Sequence, residues 1–464
     1  MKKALLDYYR CPETYGDFAL RGDLCPGQGY FHFGPDLIGY GQSSVGYHAD
    51  EPAKATCDLM YHVRREGSTY YLPFNPSVVV ENLQRERYAG TSPDHSPARK
   101  GIAKRAVSSL YYGLRPYLRV PIRRHLQRLW LKGWQKRTFP KWPVDRTVDR
   151  ILERLLTLSM KAHGVEQVPF IWFWPDGLKS CAILTHDVEE AAGLGFCSSL
   201  MDIDDSFGMK SSFQFIPEVR YSVSRAFLDG VRERGFEVNI HDLNHDGHLY
   251  DDRAEFLRRA AKINHYAREF GAAGFRAGVL YRNLEWYDAY EFSYDMSVPN
   301  VAHLDPQTGG CCTVMPYFID NVVELPLTTT QDYSIFNILS EYSIVLWKRQ
   351  IEIIQTNHGL LSFNAHPDYL LENRARDTYR QLLAHLAQIR SEGQVWMALP
   401  KEVDRWWRER AQMKIVGEDG HWRIEGPGQE RARLAYAGLT ADRITYTVDP
   451  PSEVAPAAPT LKAS

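Results

Sequence analysis

Two histidines, His241 and His245, stand four residues apart in the run His241-Asp-Leu-Asn-His245-Asp-Gly-His248. On one helical turn, side chains at i and i+4 share a face, so both imidazoles could bind one ion. Imidazole suits zinc and similar transition metals. A catalytic site with three protein ligands and an open position needs a carboxylate beside them. Asp187 and Glu189, in Thr185-His186-Asp187-Val188-Glu189, are the candidates. The other work open to Asp187 is capping a helix that starts near Glu189. His366, before Pro367-Asp368-Tyr369, could protonate a departing amine. Arg276, in Gly274-Phe-Arg-Ala-Gly278, could grip a carboxylate with two parallel hydrogen bonds, or form an ordinary structural salt bridge.

Elements at fixed places must bring these residues together. From about 180 to 410, short apolar runs alternate with runs of helical periodicity. Strands are expected at 181–186, 211–216, 236–240, 273–277, 293–297, 322–327, 360–365 and 394–399. Helices are expected at 251–270, with Phe256, Leu257, Ala260, Ile263, Ala267 and Phe270 on one face, and at 374–390. Such alternation implies a mostly parallel sheet, and seven or eight units imply a closed or nearly closed barrel. Barrels of this kind carry their active sites at the C-terminal ends of the strands. Ionisable residues recur at that end: Asp187 and Glu189, His241 and His245, Arg276, Asp295, Asp332 and His366.

Gly235-Phe-Glu-Val-Asn-Ile-His241-Asp-Leu-Asn-His245 resembles the second motif of the polysaccharide deacetylases of NodB homology, carbohydrate esterase family four. That motif is a glycine, an acidic residue, then H-[ST]-x-x-H. Leu184-Thr185-His186-Asp187 is similar to the family's first motif, T-F-D-D. Gly274-Phe275-Arg276 is similar to the third, R-x-P, and Phe363-Asn364-Ala365-His366 to the fifth, L-x-H. The resemblance covers about residues 178–400, with the motifs in family order. It implies an α/β fold, a distorted (β/α) barrel, and removal of acetyl groups from N-acetylated sugars. It further implies that His241 and His245 bind a divalent metal, most simply zinc. Asp187 would be the general base, His366 the general acid, and Arg276 would hold Asp187. Asp295 would orient His366, with Asp332 the rival for that role. The chain departs from the family at Val188, where the first motif has a second, metal-binding Asp. An Asp-x-acid arrangement moves that ligand to Glu189, which lies on the same side of an extended strand as Asp187.

The rest of the 464 residues is less explicit. Length implies two or three units. Residues 1–98 read as an N-terminal mixed module, 99–177 as a basic helical connector, 178–410 as the barrel, 411–448 as a small β-rich extension turning at Asp419-Gly420, and 449–464 as a disordered tail. Seven cysteines with no CxxC pair point away from a zinc ribbon or a disulfide framework and toward a reducing compartment. Neither a signal-peptide core nor a membrane span is visible. A net charge of −2 gives no sign of a nucleic-acid partner.

From Arg99 to Lys141, however, there are thirteen Lys or Arg residues and no Asp or Glu. This segment could dock on an anionic membrane surface, bind a polyanionic glycan, or wrap the more acidic remainder of the chain. The expected setting is cytoplasmic, peripheral to the inner face of a membrane, with an acetylated and lipid-linked glycan as substrate. Two other functions stay open. One is hydrolysis of a small-molecule amide or ureide C–N bond. The other is an inactive glycan-binding protein, for which Val188 speaks.

Overall fold

All nine residues of the strand Ser180–Val188 are buried. A strand covered on both faces is built from an unbroken apolar run, here Cys181-Ala-Ile-Leu184, rather than from alternation. Around it, nine strands form one curled sheet: β1 (Ser180–Val188), β2 (Ser212–Phe215), β3 (Glu237–His241), β4 (Gly274–Arg276), β5 (Tyr294–Asp295), β6 (Tyr317–Ile319), β7 (Val322–Glu324), β8 (Leu360–Asn364) and β9 (Val395–Met397). The computed structural model describes residues 1–46, 48–89, 120–417 and 421–449, and the side chains of the helix Val120–Trp130 from His125 on. Residues 90–119, which include the first half of the basic segment, lie outside the described residues, as do the turn at Asp419-Gly420 and the tail from 450.

The spatial order is β6-β7-β5-β4-β3-β2-β1-β8, parallel throughout except for the β6–β7 hairpin. β9 shares one edge of β1 with β2. It pairs with Ser180 to Ala182, and β2 takes over from Thr185. Between β7 and β8 two threonines do the bridging. The Thr328 hydroxyl donates to the Leu360 carbonyl and accepts from the Ser362 N–H, while the hydroxyl and N–H of Thr329 both reach the Ser362 carbonyl. The sheet is therefore a curled, mostly parallel α/β half-barrel, as the strand–helix alternation implied.

Helices return the chain between strands. Arg253–Phe270 begins where Asp252 accepts from the Glu255 N–H and ends at Gly271, whose φ of 61° suits glycine. It buries Phe256, Ala260, Ile263, Ala267 and Phe270. Leu257 turns outward and is 44% exposed, because one residue is about 100° round the helix from Phe256.

Residues outside the barrel pack into the same hydrophobic cluster. The helix Thr147–His163 buries Val148, Ile151, Leu152, Leu155 and Leu156. After it, Gln167–Ile171, a strand the sequence reading did not contain, pairs antiparallel with Leu434–Thr440, which in turn pairs with Arg443–Val448. The basic connector and the C-terminal extension thus share one sheet. Arg410, fully buried on the helix Pro400–Gln412, donates to the carbonyls of Ile171, Trp172 and Tyr8 and so ties the N-terminal helix Lys3–Tyr9 to the barrel. All seven cysteines are free thiols. No helix among the described residues is long and apolar enough to cross a membrane.

A second tie is the ion pair of Glu86 with Arg282, both buried, with contacts of 2.5 and 2.6 Å. Removing one partner of such a pair leaves a charge stranded in low dielectric. Glu86→Ala is therefore expected to lower unfolding free energy by roughly 3–5 kcal/mol, read from urea unfolding curves.

Candidate metal centre and active site

Asp187 and Glu189 lie on the same side of the backbone at the end of β1. Val188 between them points the other way and is fully buried in the core. At the end of β4, Arg276 has no solvent exposure. Its Nε donates to the Met296 carbonyl, and one terminal nitrogen donates both to Thr185 Oγ1 at 2.8 Å and to Asp187 Oδ1 at 3.1 Å. The contact with Asp187 thus uses one nitrogen, not the two that a parallel grip would use. Asn364, the last residue of β8, donates to Asp187 Oδ2 at 2.7 Å. Capping of the following helix falls to Asp368, which accepts from the Glu189 and Gly193 N–H groups. Asp187 is left for the cavity.

His241 ends β3, and its Nδ1 lies 3.1 Å from the Arg276 carbonyl. A carbonyl only accepts, so Nδ1 carries the proton and Nε2 keeps its lone pair. His245 is reached by a loop, not by the helical turn that the spacing invited. Asp242 and His245 both take left-handed backbone conformations, with φ of 57° and 56°. This turn brings the two imidazoles to a centroid distance of 4.9 Å. Gly278 makes room for it: a Cβ there would lie 2.4 Å from Asp242 Oδ2 and 3.0 Å from His245 Cδ2. Val279 and Leu280 beyond it also have positive φ, 59° and 54°, an uncommon state for a β-branched residue and a sign of strain at the site.

Glu189 completes a triangle. Its Oε1 is 3.3 Å from His245 Nε2, and one ligand atom from each of Glu189, His241 and His245 lies within 4.8 Å of the others. Nε2 of His241 and both ring nitrogens of His245 are buried without a hydrogen-bond partner. Orphaned nitrogens aimed at a carboxylate are what a divalent metal would satisfy, and two His with one Glu is a donor set that zinc accepts. His248, by contrast, lies outside this group and pairs with Asp251 at 2.7 Å.

His366 follows β8. Its Nδ1 donates to Asp332 Oδ1 at 2.6 Å, and its backbone N–H donates to Asp332 Oδ2 at 2.8 Å. The other ring nitrogen faces Asp187 and Glu189, 3.8 Å from each. Asp332 therefore orients His366, and Asp295 does not. The Asp295 carboxylate is occupied by the Tyr287 hydroxyl and by the N–H and hydroxyl of Ser297. Asp332 was already legible as the rival for that role, an acid just past the strand expected at 322–327.

The electrostatics follow from these contacts. Burial opposes charge on Asp187, yet Arg276, His241 and His366 overcome it and hold the carboxyl at about 2. Burial likewise opposes a charged His366, but Asp332 outweighs it, with help from Glu189 and Asp187, and lifts the imidazole to about 10. His241 is pushed down, by burial first and by repulsion from His245. At neutral pH the site holds an ionised Asp187, a protonated His366 and a neutral His241.

These groups line one cavity of ≈ 100 Å³. Gln127, Trp130 and Leu131, from the described end of the basic segment, cover part of it. Arg128 fixes that cover by donating to the Asn337 carbonyl.

No protein-family model matches the chain, and a search of curated proteins finds no match. Solved structures do match. A Mycobacterium smegmatis protein assigned as a polysaccharide deacetylase is 17% identical, over 51% of this chain and 93% of its own, with a TM-score of 0.40. The PuuE allantoinase is 13% identical, over 51% and 92%, with a TM-score of 0.42. A family 4 carbohydrate esterase from Streptomyces lividans, in complex with acetate, is 11% identical, over 48% and 93%, with a TM-score of 0.31. Polysaccharide deacetylases are thus among the solved structures this chain is similar to.

Two measurements test the geometry. Purified chain dialysed against zinc is expected to retain about one ion per molecule by elemental analysis, and the His241→Ala/His245→Ala variant to retain none. In Asp332→Asn, with the main upward pull on His366 removed, the imidazole titration followed by NMR is expected to fall from near 10 toward the ordinary histidine value of about 6.5.

Proposed function

We propose that this protein is a metal-dependent hydrolase that removes acetyl groups from N-acetylated sugars. The observation that carries the reading is the meeting of an ionised Asp187, a protonated His366 and the Glu189/His241/His245 triangle in one cavity. Glu189, His241 and His245 would hold the ion, zinc by donor set. When bound, it supplies Lewis acidity toward the amide carbonyl and toward water.

The side chains divide the remaining work. Asp187, held ionised and aimed by Arg276 and Asn364, accepts the proton of the attacking water. His366, held protonated by Asp332, donates to the nitrogen of the departing sugar amine. The bond broken is the amide C–N; the products are acetate and a free amine. Leu280, Leu304 and Ile338 give the cavity an apolar lining suited to the acetyl methyl group.

A second reading has its own support. The small cavity with its cover of Gln127, Trp130 and Leu131 also suits a compact amide or ureide. The membrane reading of the basic segment is supported by Leu126, Leu129 and Trp130, exposed by 39, 54 and 47% beside the cavity. A cytoplasmic enzyme acting on lipid-linked glycan at the membrane surface would use them, and flotation with anionic liposomes that is lost in Leu129→Ser/Trp130→Ser is the expected result.

Acetate release from a panel of N-acetylated oligosaccharides, set beside amine or ammonia release from small amides and ureides, separates the two substrate classes. Asp187→Asn and His366→Ala are each expected to lower kcat by roughly 10²–10⁴. Because His366 works protonated, kcat should fall on the alkaline side only above the ordinary histidine range, and that limb should move toward neutral pH in Asp332→Asn. A zinc-loaded protein that binds acetylated glycan and hydrolyses nothing in the panel would show it to be a binding protein.

A further inference from the structure

A larger groove, ≈ 890 Å³, lies at the other end of the barrel. Thr356, Asn357 and His358 on its wall lead into the start of β8, whose far end delivers His366 to the catalytic cavity. The opposite wall is the helix Thr147–His163 with Arg146 before it. Five cationic side chains and two acidic ones line the groove. The two acids are already matched: Glu153 pairs with Arg146 at 2.6 Å and Asp442 with Lys161 at 2.6 Å. The positive charge that is left belongs to Arg150, Arg154 and Arg443.

Arg150 and Arg154 are one helical turn apart and share a face. Arg150 donates to a backbone carbonyl, that of Asp36. Among the described residues neither Arg154 nor Arg443 has a carboxylate within ion-pair distance. Asp58, which attracts Arg154 from further away, spends Oδ1 on the N–H groups of Gly34 and Met60. The Arg154 guanidinium is fitted against Gly34 so closely that a Cβ there would lie 2.0 Å from its terminal nitrogen. Its ionisation is pushed down by burial first and by repulsion from Arg150 next. Asp442, already paired with Lys161, also attracts Arg154 without reaching ion-pair distance. The described residues thus hold two partly buried guanidinium groups on one helix face, neither with a carboxylate of its own.

We propose that this groove binds a soluble phosphorylated ligand, its phosphoryl oxygens bracketed by Arg150 and Arg154 and met from the rim by Arg443. Paired guanidinium groups match phosphate oxygens better than ammonium groups do, and a dianion removes the repulsion between them. The volume falls within the roughly 300–1,000 Å³ of small-molecule sites and exceeds one phosphate, so the ligand has a further part. The rings of His358 and Tyr446, 5.7 Å apart edge to face, offer that part an aromatic floor. None of the lining residues is among the exposed large hydrophobic residues that a membrane-inserting face presents, which favours a soluble ligand over a lipid headgroup.

The test is thermal unfolding of the full chain with pyrophosphate against sodium chloride of equal ionic strength. Pyrophosphate at about 10 mM should raise Tm by about 2 °C or more over the salt control, inorganic phosphate by less, and Arg150→Gln/Arg154→Gln should abolish the difference. No rise over salt, or an equal rise in the double variant, overturns the proposal. If the double variant does not fold, Arg443→Gln, at an exposed position, takes its place: a diminished rise supports the proposal and an undiminished one overturns it. Co-sedimentation with phosphatidic acid vesicles that needs Arg150 and Arg154, with no response to pyrophosphate, overturns the soluble ligand. None of these readouts depends on hydrolysis at the other end of the barrel.

Discussion

A guanidinium with no exposure to solvent sits where the strands of the curled sheet converge. Burying a charge is costly unless it is paired and its donors are met, so Arg276 constrains everything around it. One nitrogen reaches the end of the next strand at Met296. Another reaches β1 twice, at Thr185 and Asp187. Its own carbonyl orders the His241 ring. Three strand ends are therefore registered by one residue, and its side-chain contacts keep Asp187 ionised in a buried place. The acid cannot relax away from the cavity without leaving the arginine unpaired.

Around that centre the chain sets out two pairs of charges with opposite purposes. Asp187 with Arg276 yields a carboxylate that stays a base. Asp332 with His366 yields an imidazolium that stays an acid. In each pair one member, Arg276 or Asp332, stays out of the cavity lining and holds charge on its neighbour. Environments that drive two titratable groups apart are how one cavity can give and take a proton at a single pH.

Much of this was legible in the sequence because parallel strands buried on both faces advertise themselves as apolar runs, and because their C-terminal ends carry the polar residues. All eight expected strands exist, and the helix at 251–270 is observed as Arg253–Phe270. What failed to read did so for physical reasons. Asp295 looked as good as Asp332 because both lie at the C-terminal ends of strands; only the spatial order, in which β7 and β8 adjoin through Thr328 and Thr329, puts Asp332 beside His366. Gln167–Ile171 was missed because its pairing partner is more than 250 residues away in the chain, at Leu434–Thr440. The cover of Gln127, Trp130 and Leu131 is a tertiary contact with no local pattern. The four-residue spacing of His241 and His245 signalled proximity correctly and its cause wrongly, since a strained loop, not a helical turn, does the folding back.

That loop has a consequence for how the protein can change. His245 and Asp242 occupy backbone conformations that cost of order 1–3 kcal/mol each for non-glycine residues. The second imidazole is thus placed against the local preference of the chain. Replacing His245 with glycine would relieve that strain while removing the side chain. The turn is therefore kept by its surroundings, with Gly278 leaving the room that it needs, and not by what its own residues prefer.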